Sequence, residues 1–220
     1  MSSQQVVERR PLRSRDARWI RRLAALLARV KVAPNAISVA ALAAAAGGAA
    51  CLIEVPRQPA GVQAVLLVLA SGLVLLRMLG NVLDGLVAVE GGLRSPAGEL
   101  FNEVPDRIAD AILLVAAGYA IPASAIGVPL GWAAALLAVL TAYIRVFGGS
   151  LGLRQCFSGP MAKPQRMGVL AVAIVLSAPE SLLLGYRGLA VGAALAVIGA
   201  GTLLTGARRL AGIRRRLVQR

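Results

Sequence analysis

Six of the ten acidic residues of this chain fall between positions 84 and 110: Asp84, Glu90, Glu99, Glu103, Asp106 and Asp110. The chain contains no histidine, so proton transfer and metal binding fall to carboxylates and amides. At helical spacing, Asn81, Asp84, Gly85 and Ala88 share one face. Gly98, Asn102, Asp106 and Asp110 recur every four residues, with Glu99 and Glu103 inside the same arc of about 140°. Oxygen-only clusters of this kind suit hard cations such as Mg²⁺ or Mn²⁺. A divalent pair held by carboxylates can clamp the attacking and leaving oxygens of phosphoryl transfer. The same residues would also serve as a polar seam between two helices, with no metal.

The elements that carry these residues follow from composition. The chain has 220 residues, 58% of them apolar and only 15% charged, with a mean hydropathy of +0.74. Soluble domains are about 45–50% apolar and about 25% charged. The expectation is an all-α integral membrane protein with six transmembrane helices and an N-terminal amphipathic surface helix. Apolar runs long enough to cross about 30 Å of hydrocarbon lie near 35–53, 61–89, 98–120, 124–148, 166–184 and 188–206. Pro56 and Pro59, Gly91-Gly92, Pro122, Gly159-Pro160 and Gly185 punctuate them. The chain divides into a basic segment 1–33, a membrane domain 34–207 and a basic tail 208–220.

Of the 24 lysines and arginines, nine lie in residues 1–31 and six in residues 208–220. The positive-inside rule then predicts a bacterial-type inner membrane protein with both termini and the acidic cluster on the cytoplasmic side. Cys51 and Cys156 fall at opposite faces and cannot pair. A signal peptide ending near Cys51 is disfavoured, because the basic region is too long and the following run is of span length. Within 17–32, Trp19, Ile20, Leu23, Leu26, Leu27 and Val30 form a stripe opposite Arg18, Arg22 and Arg29. This predicts a helix lying among anionic headgroups, and a plain positive-inside anchor accounts for the same residues. The net charge of +14 follows membrane topology and does not indicate nucleic acid. A cation transporter would carry its acids nearer the membrane centre.

The short turn at 90–97, with Ser95 as N-cap and Pro96 in the first turn, predicts that the second and third spans are antiparallel neighbours. Matching depth then sets Asn81 against Asp106 and Asp84 against Asn102, near the cytoplasmic surface. One turn deeper it sets Arg77 against Asp110 as an ion pair.

These residues resemble the motif of the CDP-alcohol phosphatidyltransferase family, D-x2-D-G-x2-A-R-x8-G-x3-D-x3-D. Here Asn81, Asp84, Gly85, Ala88, Val89, Gly98, Asn102 and Asp106 keep every spacing. The six-span layout, the basic surface helix and Pro34-Asn35-Ala36-Ile37-Ser38 also look like the family. The resemblance implies transfer of a phosphatidyl group from CDP-diacylglycerol to an alcohol, releasing CMP in phospholipid biosynthesis. It implies two Mg²⁺ or Mn²⁺ ions on Asn81, Asp84, Asn102 and Asp106, with Asp106 as catalytic base. Gly85, Ala88 and Gly98 would let the nucleotide approach closely.

The sequence departs from the family at Asn81 and Asn102, which replace aspartates, and at Val89, which replaces an arginine. An amide still ligates Mg²⁺ but brings no charge; Glu99 and Glu103 are the acids near enough to compensate. Arg94 and Arg77 are the cations nearest the missing arginine. The Asn pair matches a divergent branch of the family, and a catalytically weak or inactive lipid- and metal-binding member is the alternative. Basic residues after the fourth span, Arg145, Arg154, Lys163 and Arg166, suit the phosphate of an acceptor such as glycerol 3-phosphate or an inositol phosphate. Positive-inside bias accounts for them equally. Pro105 should bend the third span. Gly192, Ala196 and Ala200 form a small-residue ridge that suits either core packing or a homodimer.

Overall fold

A computed structural model describes residues 17–92, 98–122, 125–157 and 159–219, without the side chains of Glu90, Glu99, Phe101 and Asn102. The anticipated cap Ser95, Pro96 and Arg94 lie outside the described residues, as do positions 1–16. The described residues form seven α-helices: α1 (Arg18–Arg29), α2 (Pro34–Glu54), α3 (Ala60–Glu90), α4 (Gly98–Tyr119), α5 (Gly127–Ser150), α6 (Lys163–Leu183) and α7 (Leu189–Val218). A 3₁₀ turn, Val55–Arg57, joins α2 to α3. Pro34 opens α2, where its missing N–H has no helical partner to lose. Gly185 and Gly188, both in the left-handed region, separate α6 from α7.

Five of these helices, α2, α3, α5, α6 and α7, are long and apolar enough to cross a membrane. Their inward faces bury Leu52, Leu67, Leu170, Ile174, Leu195 and Ile198, while Val65, Leu69, Leu136, Leu140, Leu176 and Leu203 face outward. An apolar exterior of that extent belongs to a multi-pass membrane protein. Helix α4 has 22 residues, one more than α2, but it carries Glu99, Glu103, Asp106, Arg107 and Asp110 and is less apolar.

One expectation needs correction. Helices α3 and α4 are antiparallel, as the short 90–97 connection implies, but they do not pack as direct neighbours and hardly touch. Helix α2 packs against both, α6 covers the other side of α3, and α5 covers α4. The reason lies in α2, whose buried face is Ala41, Ala44, Ala45, Gly48 and Ala49. Without a hydrophobic drive in lipid, helices associate where small residues allow backbones to approach. Residues 208–218 of the basic tail are helical and continue α7. That helix runs 30 residues, about 45 Å at 1.5 Å per residue, well beyond the roughly 30 Å of hydrocarbon. Arg209 anchors the extension by donating from Nη1 to the Thr141 carbonyl at 2.8 Å.

The stripe on α1 is split. Ile20 and Ala24 are buried against Leu83 and Val87 of α3, with Leu23 and Leu27 alongside, while Trp19, Leu26 and Val30 stay exposed. The far end of the bundle depends on a backbone contact between α4 and α5. A Cβ on Gly118 would lie 2.6 Å from the Gly127 carbonyl oxygen and 3.0 Å from Gly131 Cα. Gly118→Ala is therefore expected to cost about 1–3 kcal/mol through overpacking. Thermal unfolding in detergent measures it, and an unchanged midpoint would refute the contact.

Candidate active site at the charged end of the bundle

Helices α2, α4 and α6 begin, and α3, α5 and α7 finish, at the same end of the bundle. That alternation gathers Ser38, Asn81, Asp84, Asp106, Asp110, Arg145, Lys163 and Arg166 there, although they span 128 positions of sequence.

A narrow cleft at this end is lined by Ser38, Ala41, Asn81, Asp84, Pro105 and Asp106. Asp84 is only 4% exposed. Its Oδ2 accepts a 2.8 Å hydrogen bond from Ser38 Oγ, and its Oδ1 has no partner among the described residues. The Asn81 amide nitrogen is likewise buried and unpartnered. Since an unsatisfied buried polar group costs roughly 1–3 kcal/mol, two such groups side by side on one cleft wall are a reason to look for a ligand.

Opposite them lies a charged network. Arg77 Nη2 contacts Asp110 Oδ1 at 2.6 Å, Asp106 Oδ1 at 3.3 Å and the Asp106 carbonyl at 3.1 Å. Arg166 Nη2 meets the other oxygen of Asp110 at 2.8 Å. Arg77 and Asp110 are each 1% exposed, so the pair is fully desolvated. It ties α3 to α4 across the gap that direct packing leaves. Lys163 Nζ bonds Asp106 Oδ2, so both oxygens of Asp106 have cationic partners.

Lys163 is the first residue of α6, where a cation opposes the helix dipole at a cost of about 0.3–1 kcal/mol. Its position is fixed by the loop before it. Gly159 adopts a φ of 144° and sits against Thr205. Met161 N–H donates to Thr205 Oγ1 at 3.0 Å, and Met161 and Ala162 are buried. The loop is thus clamped to α7 and hands Lys163 to Asp106.

A second network flanks the first. Arg145 donates to Glu103 Oε1 and to Gln155 Oε1, both at 2.6 Å, and its guanidinium lies 5.2 Å from the Phe157 ring centre. Glu103 Oε2 accepts from Arg107 at 2.6 Å. Both Glu103 oxygens are therefore committed to arginines and do not line the cleft. Arg166, expected near an acceptor, is buried on Asp110, as is Arg77, which also lines the cleft. Arg154 is exposed, with its carbonyl accepting from Arg216 at 3.2 Å. Gly85 is buried, Ala88 and Gly98 are half-buried, and Ala196 and Ala200 are exposed rather than core. The backbone of Asn102 lies on α4; its side chain and that of Glu99 lie outside the described residues. Cys51 and Cys156 form no disulfide.

Sequence reasoning missed the contact of Ser38 with Asp84 and that of Lys163 with Asp106. Neither has a local signal, because each joins elements distant in the chain. Among the described residues no three acidic or cysteine side chains converge on one point. The oxygen ligands available on the cleft are the unpartnered Asp84 Oδ1, the Asn81 amide oxygen and the Asp106 carboxylate, whose two oxygens already meet Arg77 and Lys163. An all-oxygen set with one orphaned carboxylate oxygen fits Mg²⁺ or Mn²⁺ better than a thiophilic metal.

No family model matches the chain, and no curated protein matches it in sequence. Solved structures do match. The phosphatidylinositol phosphate synthase PgsA1 of Mycobacterium tuberculosis, in complex with manganese and citrate, superposes with a TM-score of 0.72 at 18% identity, covering 88% of each chain. The same enzyme with CDP-DAG bound gives 0.68 at 21% identity, over 90% of this chain and 94% of that one. Its apo form gives 0.68 at 20% identity, over 86% and 93%. At such identities the likeness is one of fold.

Proposed function

We propose that this protein transfers the phosphatidyl group of CDP-diacylglycerol to an alcohol, releasing CMP. The observation that carries the reading is the unpartnered, buried Asp84 oxygen beside Asn81, facing Asp106 across a cleft. It gains support from a fold shared with an enzyme whose structures hold manganese and CDP-DAG.

In this reading α4 is a sixth span, tolerated because its charges face inward, and α1 lies along the membrane surface. The basic end of the bundle faces the cytoplasm of a bacterial-type inner membrane. Asn81, Asp84, Asn102 and Asp106 would hold Mg²⁺ or Mn²⁺. A divalent ion held there would offset the negative charge of the diphosphate and polarise the phosphorus under attack. Ser38 holds the Asp84 carboxylate in one orientation. Gly85, Ala88 and Gly98 leave room for the nucleotide. Asp106 accepts the proton of the acceptor hydroxyl as its oxygen bonds to the β-phosphorus. The bond from that phosphorus to the bridging oxygen breaks, and CMP departs with the oxygen. Lys163, Arg145 and Arg154 are the cations that a phosphorylated acceptor such as glycerol 3-phosphate would meet. Arg166, buried on Asp110, supports the network from below. The exposed ridge of Ala196 and Ala200 is the surface a homodimer would use.

The test is purified protein with CDP-diacylglycerol, Mg²⁺ or Mn²⁺ and a panel of free and phosphorylated alcohols, monitoring CMP. We expect release with at least one phosphorylated acceptor. A second reading, a weak or inactive lipid- and metal-binding protein, is favoured by the amides at 81 and 102 and by the cations on Asp106. It prevails if no acceptor yields CMP above an Asp106→Asn control while CDP-diacylglycerol still binds.

A further inference from the structure

The carboxylates at the centre of the site are already matched by cations. Asp110 lies between Arg77 and Arg166, and Asp106 between Arg77 and Lys163. Only Asp84 keeps a free oxygen among them. Two positions where the family motif places aspartates are here the neutral Asn81 and Asn102. Affinity for a hard dication falls as ligand charge is removed, and two dications near each other need several uncompensated carboxylates. The described residues offer one. A second dication at Asp106 would also lie beside an ammonium that the clamped 159–162 loop holds in place.

We infer that the cleft takes a single divalent ion, on the Asp84 and Asn81 side, and that the ammonium of Lys163 supplies the second positive charge at Asp106. The inference rests on the transferase reading above and changes its metal stoichiometry from the two ions the motif implies. Chemically, the built-in cation does at Asp106 part of what a second metal would do: it presents positive charge to the phosphate oxygens arriving there. It also makes Lys163 a positioning residue for Asp106, whatever acceptor is used.

The experiment is equilibrium dialysis of the full chain in detergent against Mn²⁺ alone, with bound metal counted per chain. Wild type should bind one Mn²⁺. Lys163→Arg, which keeps a cation, should also bind one. Lys163→Gln releases Asp106 Oδ2, with Arg77 still on Oδ1, and should bind two, or bind the first about tenfold more tightly. Asp84→Asn should lose the wild-type ion. Two ions in the wild type would overturn the inference and leave the transferase reading standing. No bound Mn²⁺ at millimolar concentration would overturn the metal site and the inference with it. Identical binding by Lys163→Gln and wild type would assign Lys163 a purely structural role.

Discussion

Asp106→Asn is expected to lower the rate of CMP release by about 10²–10⁴-fold, the range that a positioned general base contributes. The amide keeps the size of the carboxylate and one acceptor oxygen, so the contacts from Arg77 and Lys163 are altered rather than emptied. What is lost is the ability to take a proton from the acceptor hydroxyl. In the proposed reaction the fall should appear in kcat, with the KM for CDP-diacylglycerol changed only a few-fold, because the inferred ion on Asp84 and Asn81 would remain to hold the donor. Asp84→Asn should behave differently. Among the described residues it removes the one buried carboxylate oxygen left without a partner, so its defect should be relieved in part by raising Mn²⁺. Steady-state kinetics at several metal concentrations separate the two. If Asp106→Asn retained more than about a tenth of wild-type kcat, a general-base role would be untenable.

The contrast between these aspartates shows which parts of the site the sequence makes legible. Depth along the helices is a one-dimensional property. The apolar runs and their proline and glycine breaks give helix positions to within a few residues, except at the end of α7. Counting from a shared turn brings Arg77 and Asp110 to the same level, where the structure has them 2.6 Å apart. Lateral placement is different, because it depends on which helices pack. The Ala and Gly face of α2 admits both α3 and α4, and no local pattern on those two helices signals that they are held apart. Lys163 illustrates the same limit. Its charge reads as positive-inside bias, and only the clamp of Gly159 and Met161 on Thr205 of α7 turns it toward Asp106. Glu103 near Asp106 reads as a spare metal ligand, whereas Arg145, 42 positions later in the chain, takes one of its oxygens. Likewise nothing near residue 207 ends the helix: the hydropathy drop there coincides with α7 continuing into Arg-rich turns.

Arg77→Met is expected to be the most destabilising single change at this end of the molecule, at about 3–5 kcal/mol. The side chain is 1% exposed and contacts two buried carboxylates. Methionine fills much of the same volume, so the cost arises from charge and not from a cavity. With Arg77 gone, the ion pairs left among the described residues are Asp110 with Arg166 and Asp106 with Lys163. The hydrogen bonds that tie α3 to α4 also disappear, and direct packing between those helices is too sparse to replace them. A buried pair need not be a net stabiliser, because removing both charges can be nearly neutral. The double variant Arg77→Met/Asp110→Asn should therefore recover a large part of the loss, though Arg166 then faces an amide. Thermal unfolding of the single and double variants in detergent, analysed as a double-mutant cycle, gives the coupling energy. A coupling below about 0.5 kcal/mol would mean that Arg77 and Asp110 act independently. The network would then have to be regarded as a set of neighbouring charges and not as the brace between α3 and α4.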